Sequence, residues 1–496
     1  MAILILEPDV NGRAQASIEE SATRHAEVGR LLTHVHHDVD MPLLQNPQED
    51  PLPCREPVHE TTAVSAHFLG AASRLAKLAP IDEEKGVEVE IRIGCQSFTR
   101  YPHCDHLIYH ARRLAPQNPE TLPVLPFVRK LRIVQGSGLL QDYHFSYVRP
   151  VSLRVPLECL VHLPGVVEID CPWLWEWLPV SAAGRPMRHF TRVWEGPWRD
   201  ARHEFGAAME KQEELLGGLQ IPATLAKARL WFWQPRLTCD DDQALAMPDL
   251  VAPALQDPLS VGLRALAAQL QELNLRAFVT EHLFPALDAP LSTQWSRMRR
   301  LTIEFHPLRP DGSWYFVGPR GEDPHPEGFT ISEADHYPPL QTTAEDEEVD
   351  EQWNEDPQGG EEVDYFQDVF RTEPLAERIE PLLAAFASAV KNMGAVEDAE
   401  LFAYLAWYPS ESRADEYGDE ALYDCENGVH RWGVRYLAGG GNGDEQGQVQ
   451  EAVVQWQVGD WRPSQSVLGL FEDLGQQEWL DFEFEHERNV KPHTIA

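Results

Sequence analysis

Two short stretches hold side chains of the kinds that do chemistry. His34-Val-His36-His37-Asp38 gathers three imidazoles and a carboxylate within five positions. Around a metal ion, such a set activates water for hydrolysis. The spacing is not that of the H-x-H-x-D-H pattern of metallo-hydrolases, because the final histidine is missing. The stretch also leads towards 46–57, which is rich in Pro, Gln and acids and reads as linker. We expect a solvated polar helix end there, and metal-dependent hydrolysis stands only as an alternative. His103-Cys104-Asp105-His106 puts a thiol at the start of a helix predicted over 104–114. Asp105 there can cap the helix or complement its dipole. A nucleophilic thiol needs an orienting partner, and none can be named.

Other signatures are missing. Gly439-Gly-Gly-Asn-Gly443 lacks the Lys-Ser/Thr of a phosphate loop and fits a hairpin tip. The sequence has no G-x-S-x-G, no H-E-x-x-H and no EF-hand loop. No catalytic residue, cofactor site or metal ligand is therefore expected, and the chain reads as non-enzymatic.

Composition narrows the partners. In 496 residues, 80 Asp and Glu against 41 Lys and Arg leave a formal charge of −39. A surface of that sign repels phosphate backbones, so nucleic acid is not an expected partner. Seven scattered cysteines form no paired C-x-x-C and suit a reducing compartment. No stretch reaches the ~20 apolar residues of a membrane helix. Met1–Leu6 is too short for a targeting signal and is followed by Glu7 and Asp9. Cytoplasm or nucleus is the expected location, with no membrane partner.

The elements follow from an apolar phrase, φ-x-x-φ-x-φ, that returns at uneven intervals. It reads Val128/Leu131/Ile133, Val166/Ile169/Cys171, Leu225/Ala228/Leu230, Leu270/Leu273/Leu275, Met298/Leu301/Ile303 and Val396/Ala399/Leu401. A step of three that shortens to two is a helical turn running into a buried strand, because the side-chain period falls from 3.6 to 2. Repeats of one such unit stack, each covering the apolar face its neighbour exposes. The spacing predicts an α/β fold: an irregular leucine-rich-repeat-like solenoid with a parallel sheet, capped by a mixed C-terminal sheet.

Along the chain, 1–60 reads as a poorly ordered segment with one possible helix over 18–35. Residues 61–118 form a lead-in with a helix over 61–78 and a strand over 87–93. The solenoid occupies 119–306. A loop-rich segment follows over 307–375, with an acidic, disordered insertion at 344–364. The last repeat and cap fill 376–488, with a helix over 377–391, strands over 398–407, 430–438, 452–459 and 480–485, and a helix over 465–474.

Alternation within the strands identifies candidate binding residues. If Leu131/Ile133, Ala228/Leu230, Leu273/Leu275 and Leu301/Ile303 point inward, Lys130, Arg132, Arg229, Trp231, Asn274, Arg276, Arg300 and Thr302 point outward. The open face is then expected to carry a basic and aromatic column on an acidic molecule. That column would receive an acidic segment of a partner protein, fold back on the chain's own acidic insertion, or remain a solvated face. Trp173, Trp175 and Trp177 also alternate, as do Trp231 and Trp233 around Phe232, and either group could anchor a partner or pack under neighbouring loops.

The strand Val87–Ile93 and Phe127-Val-Arg-Lys-Leu-Arg-Ile133 resemble the segment after the F-box in fungal F-box-like, leucine-rich-repeat proteins. Asp257-Pro-Leu-Ser-Val-Gly-Leu-Arg-Ala-Leu266 with Leu270–Leu275, and Phe305-His-Pro-Leu-Arg-Pro310, are similar to the same group. The resemblance spans roughly 85–485 and implies substrate selection for a cullin-type ubiquitin ligase through a Skp1-type adaptor. The F-box itself is absent: only Val64-Ser-Ala-His-Phe68 is similar to its tail. Phe278, Leu174 and His306 stand near where the repeat consensus has asparagine. A stand-alone scaffold or interaction protein without adaptor binding is the alternative.

Overall fold

All six copies of the apolar phrase end in strands. In each, the first apolar residue donates its N–H to the carbonyl three residues earlier: Val128 to Leu125, Val166 to Leu163, Leu225 to Pro222, Leu270 to Ala267, Met298 to Trp295 and Val396 to Met393. This one turn is where the helical step gives way to the pleat. Seventeen of the eighteen phrase positions are buried, Val396 being half-buried.

The computed structural model describes residues 3–6, 34–39, 86–93, 113–115, 118–135, 151–172, 195–233, 242–286, 294–337, 368–417, 428–439, 451–482 and 484–486, with isolated positions between them. The chain divides into two units, the first formed by 1–178, 182–230 and 332–363, the second by 179–181, 231–331 and 364–496.

In the first unit β1 (Ile3–Leu6), β2 (His34–Val39), β3 (Val87–Ile93), β4 (Val128–Gln135), β5 (Glu168–Cys171) and β6 (Lys227–Trp231) lie side by side in that order, every pair parallel. Leu131, Ile169 and Ala228 fall in one register and form a shared apolar layer. Crossovers carry α1 (Val155–Leu160) and α2 (Glu195–Glu210). Trp198, Ala201, Phe205, Ala208 and Met209 recur at helical spacing on α2 and are buried.

The second unit runs β7 (Glu272–Ala277), β8 (Arg300–Phe305), β11 (Asp398–Ala406), β12 (Gly428–Leu437), β13 (Val453–Gln457) and β14 (Gln476–Trp479). Strands β7, β8 and β11 are parallel, and Leu273, Leu301 and Ala399 share a register. Strand β12 is antiparallel to β11 and β13, and β15 (Phe484–His486) joins it antiparallel. A separate pair joins β9 (Phe316–Val317) to β10 (Glu373–Pro374). Helices α3 (Pro258–Ala267) and α4 (Ala376–Asn392) precede β7 and β11, and α5 (Glu411–Tyr417) and α6 (Gln465–Glu472) follow. The fold is thus mixed α/β with largely parallel strands and a mixed sheet towards the C-terminus. The strand predicted at 480–485 overlaps only the start of β15, and β14 lies just before it, where no strand was expected.

Three sequence expectations differ from the structure. His34–Val39 is strand, not helix end: it pairs in parallel with β1 and β3, and Val35 between them is buried. The side chains of His36 and His37 lie outside the described residues. The loop-rich stretch after Pro307 is core: Trp314, Tyr315 and Phe316 are all fully buried. A turn reverses the chain there, with Ser313 N–H donating to Asp311 Oδ1 at 3.0 Å and Gly312 at φ +81°. A β-carbon on Gly312 would sit 2.5 Å from Gly328 Cα. Tyr315 then donates its hydroxyl to Val279 O at 2.8 Å. The third difference is the open basic column. His103–His106, Trp173, Trp175 and Trp177 lie outside the described residues, as do most of the 344–364 insertion and the 18–33 part of the predicted helix.

Candidate functional site: the charged face of the strands

The outward residues of each strand meet outward residues of the opposite sign on the next. In the first unit the register aligns His34, Glu88, Lys130, Glu168 and Lys227 in one row, and His36, Glu90, Arg132, Asp170 and Arg229 in the row above. Bases and acids alternate across both. Lys130 Nζ lies 2.8 Å from Glu168 and 3.7 Å from Glu88, and His34 Nδ1 is 3.2 Å from Glu88. Arg132 bridges Glu90 at 2.5 Å and Asp170 at 3.1 Å. Arg229 closes a two-pronged pair on Asp170, at 2.6 and 2.5 Å.

The second unit repeats the device. Arg276 donates from Nε and Nη2 to Glu304 on the next strand, at 2.8 and 2.7 Å. Its guanidinium lies 4.3 Å over the ring of Trp231, the end of β6 and the first residue of this unit's 231–331 stretch, and Trp231 Nε1–H donates to Asn274 Oδ1 at 2.8 Å. Arg435 pairs with Asp398 at 2.9 and 2.6 Å, while Arg431 pairs with Glu400 and covers Phe402 at 3.9 Å. Gly433 stands opposite Phe402, and a β-carbon there would meet Leu401 O at 2.5 Å. Thr302 is set between Asn274 and Glu400.

The expected column of Lys130, Arg132, Arg229, Trp231, Asn274, Arg276, Arg300 and Thr302 is therefore divided between the two units, and its bases are neutralised within the sheet. Arg300 is the loosest of them: its nearest carboxylates, Glu272 and Glu397, are 3.9 and 3.8 Å away. Glu88, Glu90, Glu168, Asp170, Glu272, Glu304, Asp398 and Glu400 are the partners that sequence reasoning missed. Their signal was present, since each occupies the outward position of a neighbouring strand.

Exposure falls along the strands. At the N-terminal rim the side chain of Arg300 is 64% exposed and that of Lys130 30%, whereas Arg132 and Arg276 keep 10% and 11%. Asn274 is exposed and Thr302 half-buried. Burial pushes the Glu304 carboxyl above its ordinary value, although Arg276 beside it pulls the other way. That pair is stable only as a pair.

Among the described residues, no group of three or more His, Cys, Asp or Glu is placed to hold a metal ion. Cys159 and Cys171 are free thiols. Burial pushes Cys159 up to about 12 and raises Cys171 as well, so both rest as thiols rather than as nucleophilic thiolates. No helix of the described residues is long and apolar enough to cross a membrane. No family model, curated protein or solved structure matches the chain.

Proposed function

We propose that the chain is a non-enzymatic protein-recognition module, an irregular leucine-rich-repeat-like solenoid that reads a protein partner with the rim of its strand face. The observation that carries this reading is the exposure gradient. Deep rows of the face are consumed by ion pairs, while Arg300 and Asn274 are exposed on rigid strands, with Thr302 half-buried beside Asn274. The six turn-and-strand units support the repeat reading, since each opens on the same turn and buries its apolar positions.

By resemblance, the partner would be a substrate of a cullin-type ubiquitin ligase, with a Skp1-type adaptor bound through the first 85 residues. Co-purification of the full chain and of a 1–85 deletion with a Skp1-type adaptor tests this version. We expect capture by the full chain alone. No capture by either removes the ubiquitin version and leaves a stand-alone scaffold. For the rim itself, proximity labelling in cells should lose its main partners on Arg300→Glu with Asn274→Ala. An unchanged labelling pattern rejects the rim as the reading surface.

A further inference from the structure

Residues 332–337 are seated on a helix that is remote in sequence. Ser332 caps a one-turn helix, Glu333–His336, accepting from Asp335 N–H at 3.2 Å, and its own N–H donates to His336 Nδ1 at 3.0 Å. This stiff packet presents Tyr337 to the first two turns of α2. There Gly196 leaves room for the ring: a β-carbon would lie 2.3–2.5 Å from ring atoms of Tyr337. The Tyr337 hydroxyl donates to Asp200 Oδ2 at 2.6 Å and accepts from Arg199 Nη2 at 2.9 Å. Ring and hydroxyl are both satisfied on one facet of one helix.

The path of the chain makes this seat unusual. Residues 332–363 belong with the first unit, although 231–331 before them and 364–496 after them form the second. The stretch that follows Tyr337 is also dominated by acids, with no base between Glu345 and Asp364. Like charge on the rest of the molecule opposes holding such a stretch close, so a dedicated anchor is needed.

We propose that Tyr337 is a latch. Residues 332–337 form a strap that is fastened to α2 by the ring over Gly196 and the hydroxyl between Arg199 and Asp200, and whose single helical turn frays when the ring leaves. The strap does not depend on the recognition reading. Hydrogen–deuterium exchange on the full chain tests it, comparing a peptide covering 332–337 with one covering 201–210 of α2. In Tyr337→Ala the amides of Asp335 and His336 should exchange about tenfold faster, the effect of ~1.4 kcal/mol of lost docking. Tyr337→Phe, which keeps the ring, should give a smaller rise. Gly196→Val should match Tyr337→Ala although it lies far away in sequence. Unchanged protection in 201–210 shows that the unit stays folded, and if Gly196→Val disturbs α2 the two Tyr337 variants decide. Equal exchange of 332–337 in Tyr337→Ala and the parent chain overturns the latch.

Discussion

Glu195 opens α2 as a buried carboxyl with one oxygen lacking a hydrogen-bond partner. Burial pushes it up to about 8, and burial likewise pushes Glu158 up to about 7 against the pull of Arg154. Both groups keep their proton in the fold at pH values where the unfolded chain, near 4.5, has released it. The folded state then binds more protons, so their contribution falls as pH rises from about 4.5 through 7 and 8. Glu195→Gln should therefore stabilise the protein by on the order of 3 kcal/mol at pH 8 and by little at pH 4.5. Urea midpoints across that range check it, and parallel curves for variant and parent would contradict it. Neither carboxyl stood out in the sequence, because acids are too frequent for any one to be informative. The same abundance hid the partners of Lys130 and Arg229. Alternation showed which residues face outward, but Lys130 meets Glu168 only through strand register, which no single strand displays.

At the scale of elements, the apolar phrase located β4 to β8 and β11 because its turn and strand are both local. Strand β2 escaped because its one described buried side chain, Val35, gives no alternating pattern among polar neighbours. The run Trp314–Val317 read as loop because Gly and Pro surround it, although its aromatics fill the space beside Phe305 and Trp432. Helix α3 shows how much one local signal can carry. Asp257 caps it, accepting from Ser260 N–H at 2.9 Å and from the Ser260 hydroxyl, which in turn accepts from Thr280 N–H at 3.1 Å. The cap thus ties the start of the helix to the chain leaving β7. Asp257→Ala should cost about 2 kcal/mol, at the upper end for a helix cap because the aspartate is buried. Thermal unfolding measures the loss, and a change within a few tenths of a kcal/mol would show that the cap is idle.

On the scale of the whole molecule, a formal charge of −39 coexists with strand faces in which bases and acids alternate. The excess acid must lie elsewhere, in part in the 344–364 stretch. This local balance replaces the basic column expected from the sequence, and leaves the rim as the surface for the partner we propose. Reversing Arg229 or Arg276 would break the sheet before it tested a partner, so Arg300 is the informative position for recognition.

These outward charges couple neighbouring strands, and a double-mutant cycle on Asp170 and Arg229 measures that coupling. Asp170→Asn, Arg229→Met and the double variant would be compared by urea unfolding. Each single change should destabilise the protein, Asp170→Asn by about 3 kcal/mol because it also strips Arg132 of a buried partner. The pair should show a coupling of about 1–3 kcal/mol. Losses that simply add would mean that the two side chains do not hold the strands together, and the lattice described for the first unit would be wrong.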